Sequence, residues 1–268
     1  MKPILLAFQF LTIIPVKVKG DVSEREIGRA SGLFPLVGVF QGALLVTVNF
    51  ILRKVFPQEL TNGLLVLLLV LSNGGFHLDG LSDTIDAIAA RSEGSTEIDR
   101  QNRLAIMKDS TTGPIGVVAL ILTLLLKFLA LDGLSRLSPH TFYFSLFLMP
   151  ILSKWTMVIS MFYGKAARED GLGRLFINGT GFKEIAISTL ILFLLLILPQ
   201  TFLFSFISNS QHAFYAVLLI VIYFSSRAWV GLFDRKFGGL TGDTLGAISE
   251  ITEIIFLLMV IAWSRLSI

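Results

Sequence analysis

The chain has 268 residues, 54% of them hydrophobic and only 15% charged, with 23 phenylalanines and a formal net charge of +3. A soluble domain of this size cannot hide so much apolar surface, and so small a net charge gives no ground for a nucleic-acid partner. The absence of cysteine excludes a disulfide framework and a thiolate zinc site.

In chain order, residues 1 to 16 form an apolar run interrupted by Pro3, Gln9 and Pro15, with no small-residue cleavage site before Lys17. It reads as an interfacial or re-entrant segment rather than a signal peptide. Seven stretches near 32–52, 60–77, 113–131, 141–163, 184–207, 213–230 and 245–263 approach the roughly 20 apolar residues needed to cross a bilayer core. The expected fold is an all-α, polytopic membrane bundle of about seven transmembrane helices, with residues 1–268 forming a single membrane-embedded domain.

A cytoplasmic N-terminus places sixteen of the 22 Lys and Arg residues inside. Arg53, Lys54, Arg136 and Arg265 lie outside, and Lys127 and Lys154 lie within spans. That asymmetry is the one expected of a protein of the cell membrane oriented by its positive charge. Glu59 and Asp132 are then the only outward acids, so the chemistry faces the cytoplasm. No sequence repeat of the kind found in many secondary transporters is evident.

The first polar cluster follows the second span, in Gly74-Gly-Phe-His-Leu-Asp-Gly-Leu-Ser-Asp-Thr-Ile-Asp86. On a helix, Asp79, Asp83 and Asp86 are spaced i, i+4 and i+7 and share one face. Like charges so arranged repel unless a cation lies between them, and hard carboxylate oxygens suit Mg²⁺ or Mn²⁺ with positions left for phosphate oxygens. His77 reads equally as a hydrogen-bonded core residue and as a ligand or base.

Next come Arg103 and Ile106-Met-Lys-Asp-Ser-Thr-Thr-Gly-Pro-Ile-Gly116, where Lys108, Asp109 and Ser110 stand at the mouth of the third span. Cations there neutralise phosphate charge, although orientation in the membrane alone would account for a cation such as Arg100. A basic, glycine-containing loop carries Lys165, Arg168, Gly171, Gly173 and Arg174, read either as embracing a nucleotide phosphate or as fixing orientation. Finally Asp243, Glu250 and Glu253 lie within about 80° of one another on a 3.6-residue helix entering the last span. The preceding Gly238, Gly239 and Gly242 serve either close approach to a phosphate or a simple turn.

No Ser-His-Asp pattern, Walker loop or dinucleotide fingerprint stands out. Asp83 to Arg91 looks like the first half of the CDP-alcohol phosphotransferase pattern, but Arg100, Leu104 and Lys108 occupy the places of its remaining Gly and two Asp. A far fuller resemblance is to the cobalamin synthase (adenosylcobinamide-GDP ribazoletransferase) family. It is carried by Phe10-Leu-Thr-Ile-Ile-Pro15, Gly74 to Asp86, Ile106-Met-Lys-Asp-Ser110 with Gly113 and Gly116, Ala167-Arg168 with Gly171-Leu-Gly173, and Gly238 to Ala247 followed by Glu250. Phe76, Ser82, Ile85 and Ala87 depart from the expected pattern, and Thr111-Thr112 replaces a more basic pair.

The resemblance implies the final joining step of cobamide assembly, in which α-ribazole or its 5'-phosphate attacks adenosylcobinamide-GDP at the membrane and GMP departs. It also implies Mg²⁺ on the diphosphate held by Asp79, Asp83 and Asp86, with Asp243 and Glu250 completing the metal cluster or acting as base. Lys108, with Arg103 and Arg168, would meet phosphate charge, and His77 or Asp109 would orient the attacking hydroxyl. Association with other enzymes of cobamide assembly is a further expectation. The competing readings are a UbiA-like prenyltransferase, which needs a second aspartate-rich motif, and a membrane cation transporter using Glu250 and Glu253 as midplane ligands.

Overall fold

The computed structural model describes residues 2–92, 94–203 and 209–266, with side chains placed outside 197–212. Residues 204–207 of the fifth expected span lie outside the described residues. The elements are α1 (Lys2–Leu11), α2 (Glu24–Ser31), α3 (Phe34–Leu52), α4 (Gln58–Ser72), α5 (Phe76–Ala89) and α6 (Thr96–Ile106). They continue with α7 (Pro114–Ser135), α8 (Pro139–Tyr163), α9 (Leu172–Gly179), α10 (Phe182–Leu203), α11 (Asn209–Phe237) and α12 (Gly242–Leu266). Among the described residues there is no strand, only a single bridge between Ala166 and Leu240.

Hydrocarbon offers the backbone no hydrogen-bond partner, so long apolar runs resolve into helices that satisfy their own amides. Five of them, α3, α7, α8, α12 and α11 from Ala213, are long and apolar enough to cross a membrane. Two bent pairs, α4 with α5 and α9 with α10, raise the number to as many as seven, with bends of 85° and 88°. The second expected span therefore stops at Ser72 rather than His77. The cause is local: Gly74 and Gly75 take φ of +68° and +76°, a left-handed conformation open to glycine at little cost. At ten residues α1 is about 15 Å long, too short to span, and it buries Leu6, Ala7 and Leu11 against its neighbours.

α8 is the central post, buried from Leu148 to Met161 without a break. α3 lies against it at backbone contact, because Gly38 and Gly42, one turn apart, face the main chain at Ile151 and Phe147. Small residues spaced in this way let helices approach closely where water exclusion gives no drive for association. Short links at 53–57 and 136–138 join helices at one end of the bundle. The segment 73–113 with α5 and α6, the connection 164–181 with α9, and the four-residue link 238–241 meet at the other.

Candidate active site

The left-handed pair Gly74-Gly75 swings α5 across the bundle onto the first turns of α12. Contact there is made by backbone: a Cβ added to Gly80 would lie 2.6 Å from the Asp243 carbonyl oxygen, and one added to Gly246 would lie 3.0 Å from the His77 Cα. The two acidic segments, far apart in sequence, are thereby joined at one end of the bundle. Half-buried Asp83 faces the carboxylates of Asp79, Asp243 and Asp86, with the Arg168 guanidinium as counter-charge.

These carboxylates differ in what already holds them. Asp86 accepts from the Gly113 N–H with Oδ2 and from the Gly116 N–H with Oδ1, each at 2.8 Å, and so caps the start of α7. Pro114 at the first position of α7 has no N–H to offer, and a carboxylate at a helix N-terminus is electrostatically favoured. Asp243 receives the Arg168 Nη1 at 3.4 Å and the Thr241 hydroxyl at 3.3 Å, both on Oδ2. Among the described residues Asp79 and Asp83 take part in no hydrogen bond or ion pair through their side chains.

Arg168 is placed by the loop before α9. Leu240 donates to the Lys165 carbonyl at 2.7 Å and accepts from the Ala167 N–H at 2.8 Å, while Arg168 Nη2 donates to the Leu104 carbonyl at 3.2 Å. A cavity of about 180 Å³ opens here, lined by Ala166, Arg168, Asp170, Gly171, Gly173, Arg174 and residues 240–243. Gly242 meets nothing within 4 Å of its missing Cβ and leaves the floor open, whereas Gly239 is pressed against the Lys165 carbonyl and serves the loop rather than a ligand.

The remaining expected site residues divide. Lys108 reaches across to Asp170 at 2.9 Å, both exposed, linking the loops on either side of the cavity; that hydrogen bond and the Lys108 charge hold the Asp170 carboxyl below its ordinary range. Asp109 accepts from the Thr111 hydroxyl at 2.7 Å and N–H at 2.9 Å, which likewise lowers its pKa and shapes the turn before α7. His77 is buried, with Nδ1 3.3 Å from the Asn73 amide nitrogen, and Asn73 in turn accepts the Gly75 N–H at 3.0 Å. It therefore packs beneath the carboxylates and pins the α4–α5 turn. Arg103 is also buried, 3.7 Å from Asp99, which accepts the Ser92 hydroxyl at 2.6 Å. That pairing commits Arg103 to the packing of α6 rather than to a phosphate.

Glu250 stands apart from the cleft. It shares a helical face with Asp243 but lies two turns deeper, about 10 Å along α12, and its Oε2 is held by Lys127 of α7 at 2.6 Å. Lys127 also grips Glu253, which takes the Ser153 hydroxyl at 3.1 Å and has Lys154 4.0 Å away; Lys154 donates to Ser249 at 3.2 Å. All four charged side chains are at most 2% exposed. Two Lys and two Glu make the cluster neutral, as charge buried in hydrocarbon requires. The signal was present in the sequence as two cations inside spans, but their acidic partners lie 99 to 126 residues away. Glu250 and Glu253 are thus already occupied, which removes the ligands a cation transporter would need.

With Asp86 capping α7, Asp243 paired with Arg168 and Glu250 claimed by Lys127, no three acidic or imidazole groups among the described residues gather to cage a metal ion. The pair Asp79 and Asp83 nevertheless fits Mg²⁺, which is commonly held by one or two carboxylates and completed by water and phosphate oxygens.

Fold and site define a multi-pass helical membrane protein with an acid-rich, arginine-backed cleft at one end of the bundle. Comparison with known proteins places it further: the chain belongs to the Cobalamin-5-phosphate synthase family, whose model matches residues 3–261. It is 36% identical to the adenosylcobinamide-GDP ribazoletransferase of Thermodesulfovibrio yellowstonii, over 98% of this chain and 96% of that protein. The enzymes of the same name from Geotalea daltonii and Clostridium tetani are 36% and 35% identical, each over 96% of this chain and over 96% and 95% of their own lengths. No solved structure matches the chain.

Proposed function

We propose that the chain performs the final joining step of cobamide assembly, transferring the adenosylcobinamide phosphate group from adenosylcobinamide-GDP to α-ribazole or its 5'-phosphate. An acceptor hydroxyl oxygen attacks the phosphorus borne by the cobinamide. The bond from that phosphorus to the GMP phosphate breaks, GMP departs, and the acceptor hydroxyl loses its proton. The observation that carries this reading is the seating of Gly80 on Asp243, which sets Asp79 and Asp83 beside Asp243 and Arg168 in one cleft. Family membership over nearly the whole chain supports it.

Asp79 and Asp83 would hold Mg²⁺, which when bound supplies charge neutralisation on the diphosphate. Arg168, anchored at Leu104 and beside Asp243, meets negative charge on the departing GMP phosphate. Asp243 is the carboxylate suited to take the acceptor's proton, since both of its hydrogen bonds use Oδ2 and leave Oδ1 uncommitted. Asp86 fixes α5 against α7, and His77 holds the turn that aims α5. The Lys108–Asp170 link bridges the loops and must part or shift for a bulky corrinoid to enter. On this reading the cleft faces the cytoplasm, the side favoured by the excess of Lys and Arg in the loops around it.

The test is to incubate the purified protein with adenosylcobinamide-GDP, α-ribazole or its 5'-phosphate, and Mg²⁺, and to follow GMP and cobamide by chromatography. GMP and cobamide appearing in equal amounts are expected. Absence of both, or GMP without cobamide, overturns the proposal.

A further inference from the structure

A cavity of about 350 Å³ lies beside the cleft rather than in it, between α2, α9 and the start of α10. Its cations are Arg25 and Arg29 of α2, Arg174 of α9 and Lys183 of α10, against the carboxylates of Glu24 and Glu184. Both acids are engaged: Glu24 with Arg174 at 3.6 Å, and Glu184 with the Gly181 N–H at 3.0 Å. Among the described residues Arg25, Arg29 and Lys183 have no acidic partner. Arg25 and Arg29, both exposed, are spaced i, i+4 on one helix and so hold two like charges side by side, where a bound anion would relieve their mild repulsion.

The cavity is built rather than incidental. Gly179, which lines it, is pressed against Gly28: a Cβ on Gly28 would fall 2.5 Å from the Gly179 carbonyl oxygen, so α2 and α9 are locked at backbone contact. Arg174 lines this cavity and the reaction cleft alike, and its Nε is buried with no hydrogen-bond partner in the protein. From Gly173, which abuts Gly242 in the cleft, to Gly179 is about 9 Å along α9. A nucleotide with its reacting hydroxyl in the cleft reaches the basic cavity with a phosphate at its other end.

We infer that this cavity is a binding site for a phosphate monoester, and that its occupant is the 5'-phosphate of the acceptor nucleotide. The assignment of the occupant rests on the proposed transfer reaction; the assignment of phosphate does not. A lipid headgroup phosphate shares the chemistry, so the test separates the two sources.

The full chain is placed in nanodiscs of phosphatidylcholine alone, and binding of ribose 5-phosphate is measured by calorimetry, with ribose as control. Ribose 5-phosphate is expected to bind, and the R25Q/R29Q double variant to weaken it about tenfold or more, as loss of charge-assisted contacts implies. The ratio of kcat/KM for α-ribazole 5'-phosphate over α-ribazole is expected to fall about tenfold in the same variant, through KM. K183Q gives a smaller shift in the same direction and keeps the test alive if the double variant does not fold. Unchanged ribose 5-phosphate affinity, an equal loss for both acceptors, or an effect seen only when phosphatidylglycerol is added to the discs overturns the inference. If the wild type transfers to neither acceptor the reaction reading falls, and the ribose 5-phosphate measurement alone decides the site.

Discussion

Replacing Gly80 by alanine tests the convergence on which the cleft depends. The added methyl would sit 2.6 Å from the Asp243 carbonyl oxygen and 2.8 Å from its Cα, where ordinary contact begins near 3.4 Å. Both neighbours are backbone, so neither can swing aside. α5 and α12 must separate by about 0.8 Å, the shortfall at the closest atom. Overpacking of this kind costs about 1–3 kcal/mol, and a misplacement near 1 Å costs on the order of 100-fold in a reaction that depends on positioning. Gly231→Ala is the matched control, since nothing lies within 4 Å of its missing Cβ. GMP release by purified protein, with detergent thermal unfolding measured in parallel, is expected to fall on the order of 100-fold for G80A and to stay near wild type for G231A. A G80A protein that retains more than about half of wild-type turnover would show that the α5–α12 seating does not set the reacting geometry.

Asp83→Asn should reduce transfer at least about 1,000-fold while the protein still inserts and unfolds cooperatively, and EDTA should stop the wild type until Mg²⁺ is restored; near-normal GMP release in either case contradicts the metal-holding role. Asp86→Asn, whose amide cannot accept both the Gly113 and Gly116 N–H groups, should lower thermal stability by about 1–2 kcal/mol. Lys127→Met leaves Glu250 and Glu253 facing only Lys154 in a buried setting and should cost about 3–5 kcal/mol, with Glu250→Gln in the same chain restoring part of it. Breaking the exposed Lys108–Asp170 pair with Asp170→Asn should leave the unfolding temperature almost unchanged, whatever it does to substrate entry.

The sequence by itself determined the fold class, because crossing hydrocarbon imposes a length and an apolarity that can be read without knowing any partner. It also determined that Asp79 and Asp83 share a helical face, whereas the break at Gly74 and Gly75, inside the expected second span, came only from the structure. Helical spacing carries no depth, however, and that is why Glu250 was grouped with Asp243: the two lie on one face of α12, but one stands at the cleft and the other beside Lys127. The charge of Arg103 suits a phosphate, and only the structure shows it buried with Asp99 one turn away on α6. Only the tertiary structure gave Lys127 and Lys154 their acidic partners and brought Gly80 onto Asp243, because these contacts join helices 99 to 163 residues apart and depend on which backbones can touch.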